Sequence, residues 1–575
     1  MTDAAPPYPA STYRAATDPG LVPATWKNLV MLALAAFALL TPGLFSLPPV
    51  DRDEPRYATA TSQMLDSHNF IDIRLQDKPR YLQPAGVYWL QAIPTALFSA
   101  PGHRSIWTFR LVSLLGAVLA VVMTGWQASR LFGRSVGLAA ALMLAACLSL
   151  GFEAKIAKTD AALLAAVVTA QFALMRVYLK PDASRLNAAA FWVALGVGVL
   201  LKGPIILLVT GLTVLTVCLM DRRVRWLGRL QPLWGVPLML LVAAPWYIAI
   251  GLASHGEFYR IAIGRSLMGK VAAGQQAHGA PFGYHLMAFP LTFWTASLLA
   301  VMAIPNVWRE RKTPTVRFLL CWIIPSWIVF ELVKTKLPHY VLPLFPAIAC
   351  LTAMSLFSVR TPVRAWVKGL FALFLLLWIG LGVALSGLAP AVLWNALKVI
   401  DPLAVGLALA TAASVAVLGW SAWKRRPEHA LVAVACASFF GSTAAYTVAA
   451  PRLQSFWLSP RVEALVQAAA PCPQSLLIST PYHEPSLVFL NGPFATVLAK
   501  TPVEAADRLV AAGACGMALV GEKQAPDFLA RAAAENLLLR RLGQLQGRDY
   551  ADNRNLTLTL YARAAATPVV RAPRP

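Results

Sequence analysis

The sequence predicts an all-α polytopic membrane protein of about thirteen transmembrane helices, followed by a small C-terminal α/β domain. Three observations carry this prediction. Of the 575 residues, 58% are hydrophobic and 13% charged, and the mean hydropathy is +0.60, far from the composition of soluble domains. Apolar runs close to the roughly 20 residues that a bilayer requires recur along the chain. From about Pro451 onward the pattern changes, and mixed helical and alternating periods replace the apolar runs.

Taken in order, residues 1–26 are Pro-rich and lack a short apolar core with a small-residue cleavage site. They read as a disordered cytoplasmic tail with no removable signal peptide. Spans are expected near 27–47, 107–129, 134–152, 160–178, 187–201, 204–220, 232–253, 285–306, 316–333, 340–358, 367–388, 403–423 and 428–449, so 27–450 forms one membrane domain. Every even-numbered connection is basic: Arg130 and Arg134, then Arg176, Lys180 and Arg185, and so on to Lys424, Arg425 and Arg426. Lys and Arg in short loops accumulate in the cytoplasm, so the odd-numbered connections and everything after about residue 450 face the other way.

The first outward connection, 49–106, is long. Its stretches PRYATATSQMLDS and GVYWLQAIPTALF suit helices lying in the membrane interface. The tail 451–575 reads as a soluble domain with a disordered end. Its helix-like segments are SPRVEALVQAAA and AADRLVAAG, and its strand-like segments are SLLIST, GMALVG and LTLTLYA. Cys472 and Cys515, alone among the seven cysteines, lie in this polar region and can pair if it is exported.

The net charge of +24 does not indicate nucleic acid, because the basic residues lie in strips between apolar runs and not on one soluble face. Acidic residues are scarce, 26 in all, so their positions are informative. Asp53 and Glu54 follow the first span, and Asp160 ends the connection FEAKIAKTD at the start of the fourth. Parity puts all three on the outward face, where paired carboxylates could accept a proton and position a hydroxyl. Taken singly, Asp160 could be a helix cap and Asp53 and Glu54 solvated loop charges.

The same face collects cations at Lys202, Lys336, Arg260, Arg265 and Lys270. Snorkelling accounts for one such residue; five point to a phosphate at headgroup level. His278 and His339 are outward too, but no histidine pair has the spacing of a metal motif. No cofactor is therefore required, a divalent cation being the less favoured alternative. Glycine-rich nucleotide loops are missing, which argues against a nucleotide sugar as direct donor. In the tail, His483 and Glu484 lie between strand-like runs and are either a lid over the site or a polar turn.

The segments DEPRYA (53–58), RYLQPAGVYWL (80–90), KTD (158–160), LKGP (201–204) and KLPHYVLPLFPAIA (336–349) resemble motifs of the GT-C glycosyltransferases that use lipid-linked sugars. That group includes the lipid A aminoarabinose transferases, protein O-mannosyltransferases and rhizobial galacturonosyl transferases. The resemblance implies a GT-C fold in the bacterial inner membrane, with a periplasmic site roofed by the first loop. It also implies inverting transfer of a sugar from a polyprenyl phosphate to a lipid or glycan acceptor such as lipid A, by a monomer.

By position, the resemblance makes Asp53 the principal catalytic carboxylate, Asp160 the second, and Tyr340 the tyrosine near the donor. Glu54 joins the catalytic set, and Arg56, Tyr57 and Tyr81 line the site. Lys336 and the loop from Arg260 to Lys270 would serve the phosphate. One departure matters: the aminoarabinose transferases carry Glu-Lys before a Pro where this chain has Leu82 and Gln83 before Pro84. Lys78 or Arg80 is then the replacement cation, or the donor head group differs. Two alternatives remain: a flippase for lipid-linked substrates, which usually shows half-repeats not visible here, and a protein O-glycosyltransferase.

Overall fold

The computed structural model describes residues 24–102, 104–180, 184–268, 280–358 and 364–564. The expectations of a disordered tail and a disordered end fall mainly on residues outside these segments. Among the described residues, nine helices are long and apolar enough to cross a membrane, and the bent pair Tyr284–Thr292 and Ser297–Glu310 makes a tenth. Three shorter apolar helices, Trp26–Leu40, Arg134–Ala145 and Ile205–Asp221, occupy the remaining predicted spans.

Local chemistry sets where these helices start. Thr25 and Asn28 form a reciprocal capping box before Trp26–Leu40, and Asp401 caps Pro402–Lys424 by accepting the Ala404 N–H at 2.7 Å. The eighth span departs from the sequence reading, because it is not one helix. Its two halves meet at 119°, and the Trp294 carbonyl freed at the break accepts the Leu148 N–H at 2.8 Å, so the bend leaves that group paired.

Close helix packing brings the functional segments together. A Cβ at Gly116 would lie 2.8 Å from the Ala162 backbone, so the helices Ile106–Phe132 and Asp160–Leu179 approach as only small residues allow. Two helices of the first loop, Asp53–Ser67 and Gly86–Phe98, lie at one end of the bundle, joined through a two-stranded hairpin of Arg74–Leu75 and Lys78–Pro79 that the sequence reading did not include.

Beyond Ala450 the chain forms a five-stranded mixed sheet in the order Thr496–Leu498, Leu476–Thr480, Gly516–Gly521, Arg554–Arg563, Leu539–Asp549. The first three strands are parallel, and Arg554–Arg563 runs antiparallel to both of its neighbours, Gly516–Gly521 and Leu539–Asp549. Helices Leu458–Ala469, Pro485–Asn491, Pro502–Ala512 and Ala525–Ala534 accompany them. Cys472 and Cys515 are joined in a disulfide with Cα atoms 5.4 Å apart. Leu539–Asp549 escaped the sequence reading because LRRLGQLQGRD carries four charges, a composition suited to an edge strand.

Candidate active site

Asp53 and Glu54, neighbours in sequence, have opposite surroundings. Both lie in the first turn of Asp53–Ser67, where a helix N-terminus favours negative charge. Glu54 points inward. Its carboxylate takes a two-pronged ion pair from Arg110, at 2.8 Å from Nε and 2.7 Å from Nη2, and accepts the backbone N–H groups of Val50 and Ala157 at 2.8 Å each. Arg110 spends its other donors on the carbonyls of Leu44, Leu47 and Pro48. Both side chains are fully buried. Glu54 has no free oxygen for a substrate, so the sequence assignment of Glu54 to the catalytic set is corrected: it clamps the first loop to the bundle.

Asp53 points outward, its side chain 59% exposed, with Arg56 3.8 Å away as its ion-pair partner. It lies within electrostatic reach of Lys158, Tyr57, Arg80 and Tyr340. Asp160 begins the helix Asp160–Leu179 and belongs to the same neighbourhood, since Lys158, Tyr57 and Tyr340 also feel its charge. Lys202 Nζ sits 2.5 Å from Asp160 Oδ1, and His339 Nε2 is 3.7 Å from the same oxygen. The other His339 nitrogen is 3.3 Å from Glu153, which pairs with Lys158 at 3.2 Å. Asp53 and Asp160 thus act on the same groups, Lys158, Tyr57 and Tyr340, while Lys202 and His339 lie against Asp160.

Arg80 follows the hairpin, its N–H bonded to the Ile73 carbonyl. Its Nε donates to the Tyr88 hydroxyl at 2.9 Å, and its guanidinium lies 4.8 Å above the Tyr57 ring, which stacks on Tyr88. Burial, above all, raises the Tyr57 phenol well above its ordinary value, so it remains protonated. The remaining predicted residues are dispersed. Lys78 is exposed on the hairpin. Tyr81 donates to Asp72 at 2.8 Å, and Lys336 donates to the carbonyls of Ala280 and Val333. Arg260 is largely exposed and pairs with Glu257, and Arg265 lies on the irregular helix Arg260–Met268. Lys270 and His278 fall outside the described residues.

His483 turns back into its own domain, its Nε2 2.8 Å from the Ala499 carbonyl, and so does not act as a lid. Glu484 does reach the first loop, 3.5 Å from Arg52. It is one of three carboxylates, with Asp549 and Asp552, whose oxygens lie within 4.8 Å of one another, but Arg52 and Arg554 also pair with this group.

Sequence reasoning missed Glu153, Lys158, Arg110 and Asp51. An arginine inside the run IWTFRLVSLLG was itself a signal, because a charge in a span demands a partner. Glu153 and Lys158 lie in the same FEAKIAKTD connection that supplied Asp160.

The fold and site together define a polytopic membrane protein with a charged site at the end of the bundle that carries the C-terminal domain. The chain resembles the aminoarabinose transferases in particular. Over 352 residues it is 28% identical to the undecaprenyl phosphate-alpha-4-amino-4-deoxy-L-arabinose arabinosyl transferase of Pectobacterium carotovorum, covering 60% of this chain and 59% of that protein. With the same-named protein of Aeromonas salmonicida it is 28% identical over 372 residues, 61% and 65% of the two chains. The chain thus spans about 60% of the length of the curated relatives it matches.

A family model described as dolichyl-phosphate-mannose-protein mannosyltransferase matches residues 82–248. The structure of ArnT from Cupriavidus metallidurans bound to undecaprenyl phosphate superimposes with a TM-score of 0.72 at 20% identity, over 94% of this chain and 99% of that one. Its apo state gives 0.69. That likeness establishes the shared fold.

Proposed function

We propose that this protein is an inverting glycosyltransferase that moves a sugar from a polyprenyl phosphate donor to a lipid or glycan acceptor at the periplasmic face of the bacterial inner membrane. Lipid A or another lipopolysaccharide glycan is the acceptor best suited to a site at headgroup level. One observation carries the reading: Asp53 is an accessible carboxylate in the same electrostatic neighbourhood as Asp160 and Lys158. The relatives' names, which specify an undecaprenyl phosphate-linked donor, support the donor class.

In this scheme the acceptor hydroxyl attacks the anomeric carbon, Asp53 takes its proton, and the bond from that carbon to the phosphate oxygen breaks with its electron pair leaving on phosphate. The phosphate gains negative charge, so pre-placed cations are the main stabilising groups. Lys158 and Lys202 stand beside Asp160. Among the described residues, the Arg80 side chain donates only through Nε, leaving its terminal nitrogens for a phosphate fork beside Tyr57. Asp160, fixed by Lys202 and His339, would orient the acceptor or hold Lys202 in place. With three protein cations available, we propose that no divalent ion is needed and that a single chain suffices.

The test is transfer by the purified protein in detergent, given a panel of polyprenyl phosphate-sugars, with products identified by mass. Asp53→Asn should lower turnover by about 10³-fold or more while the protein still purifies as a folded monodisperse species. Full activity in that variant removes Asp53 from the role, and a panel that gives no product for the wild type removes the function.

A further inference from the structure

Asp51 and Arg52 immediately precede Asp53, yet their partners come from the far end of the chain. Ser486 donates both its N–H, at 2.8 Å, and its hydroxyl, at 2.6 Å, to the Asp51 carboxylate. The Asp51 N–H donates to the Tyr550 hydroxyl at 2.7 Å. Arg52 pairs with Asp552 and, at 3.5 Å, with Glu484. Apolar packing continues the contact: Phe489, on the short helix that begins beside Ser486, meets the Phe109 ring edge-on at 5.7 Å and packs with Ala58 of the Asp53 helix and with Ala157. Farther along the first loop, the Gln76 side chain donates to the carbonyls of Pro493 and Thr496.

The Asp53 helix lacks a side-chain cap of its own at Arg52 and is tied locally only through the Val50 N–H that Glu54 accepts, so the angle at which its first turn leaves the loop must be fixed from outside. Two external anchors do so. Glu54, on one side of Asp53, is clamped to the bundle by Arg110 and the Ala157 N–H. Asp51, on the other side, is clamped to the C-terminal domain by Ser486. The accessible carboxylate stands between them.

We propose that the C-terminal domain is a working part of the active site, and that Asp51 is a positioning residue: latched to Ser486, it fixes the direction in which Asp53 meets its substrate. The kinetic consequence rests on the glycosyltransferase reading; the latch itself does not. Reacting groups misplaced by about 1 Å can lose about 10²-fold in rate, so a loosened first turn should be costly even though neither Asp51 nor Ser486 touches substrate.

The experiment compares Asp51→Ala, Ser486→Ala and Asp51→Asn with the wild type in detergent, by hydrogen–deuterium exchange and by transfer kinetics. The two alanine variants should raise exchange in the segment 48–57 by about tenfold while the spans 106–132 and 160–179 stay protected. Their kcat should fall about 10- to 100-fold with donor KM within about twofold. Asp51→Asn keeps an acceptor oxygen for the Ser486 N–H and should recover most of the rate. Unchanged exchange in both alanine variants overturns the latch. Raised exchange with undiminished kcat overturns the positioning role, as does a general rise in exchange accompanied by loss of donor affinity. A wild type that transfers no sugar counts against the glycosyltransferase reading, while the exchange measurement still decides whether Ser486 holds the Asp51 segment.

Discussion

Two carboxylate clusters lie close together at the head of this bundle and differ in one respect. Around Glu54, each oxygen accepts two hydrogen bonds, Arg110 is fully engaged, and both side chains are sealed from solvent. Around Asp160 the accounting is incomplete: Glu153 Oε2 and Thr159 Oγ1 are buried without a partner, and the Lys202–Asp160 pair retains 19% and 12% side-chain exposure. A fully satisfied buried ion pair is a fastener, since its groups have nothing left to offer a ligand. An under-satisfied, partly solvated cluster of mixed charge holds donors and acceptors in reserve, as a site that must accept and release a charged substrate requires.

The contrast predicts that the two clusters fail differently. Arg110→Ala would strand the Glu54 charge in a dry pocket and free the carbonyls of Leu44, Leu47 and Pro48, so it should cost about 3–5 kcal/mol. The expected outcome is poor yield and a markedly lower thermal midpoint in detergent, and a variant with wild-type stability would break the assignment of Glu54 as a fastener. Lys202→Met is the converse. Lys158 and His339 remain beside the acidic pair, and the pair keeps some exposure, so the stability cost should be smaller than that of Arg110→Ala. Turnover should nevertheless fall about 10²-fold, because a cation that meets developing phosphate charge is lost. Equal losses of stability in the two variants would erase the distinction.

Much of this was legible in the sequence, for reasons tied to particular residues. The spans followed from apolar length, and the convergence of Asp53 with Asp160 followed from loop parity, because a membrane fixes which connections share a face. The fate of Glu54 was not legible. Asp53 and Glu54 are adjacent acids in one helical turn, and only tertiary packing shows that one faces Arg110 and the other solvent. His483 was left open between a lid and a polar turn for a related reason: its partners are carbonyls of its own domain, and backbone acceptors leave no trace in composition. Lys336 is similar, because a buried lysine held by carbonyls and a phosphate-binding lysine look alike as letters. The contact of Asp51 with Ser486, 435 positions apart, lies beyond any local pattern.

The smallest effect concerns pH at the junction that the C-terminal domain makes with the first loop. Burial, outweighing two hydrogen bonds from Ser486, raises the Asp51 carboxyl from 3.8 to about 6. Burial again, with the charges of Asp51 and Asp549 adding to it and Arg52 opposing, raises Glu484 from 4.5 to about 7. Both groups hold a proton more tightly in the docked domain than in the unfolded chain. Their contribution to stability is therefore fully present below about pH 4 and is lost as pH rises through 6 to 7. Thermal unfolding in detergent should accordingly show a midpoint that falls by a few degrees between pH 5 and pH 8, most steeply between pH 5 and 6 and levelling off above about pH 7. Glu484→Gln, which cannot ionise, should flatten the upper part of that slope and leave the part due to Asp51. A midpoint that rises with pH, or a slope that Glu484→Gln leaves untouched, would show that other groups control the junction.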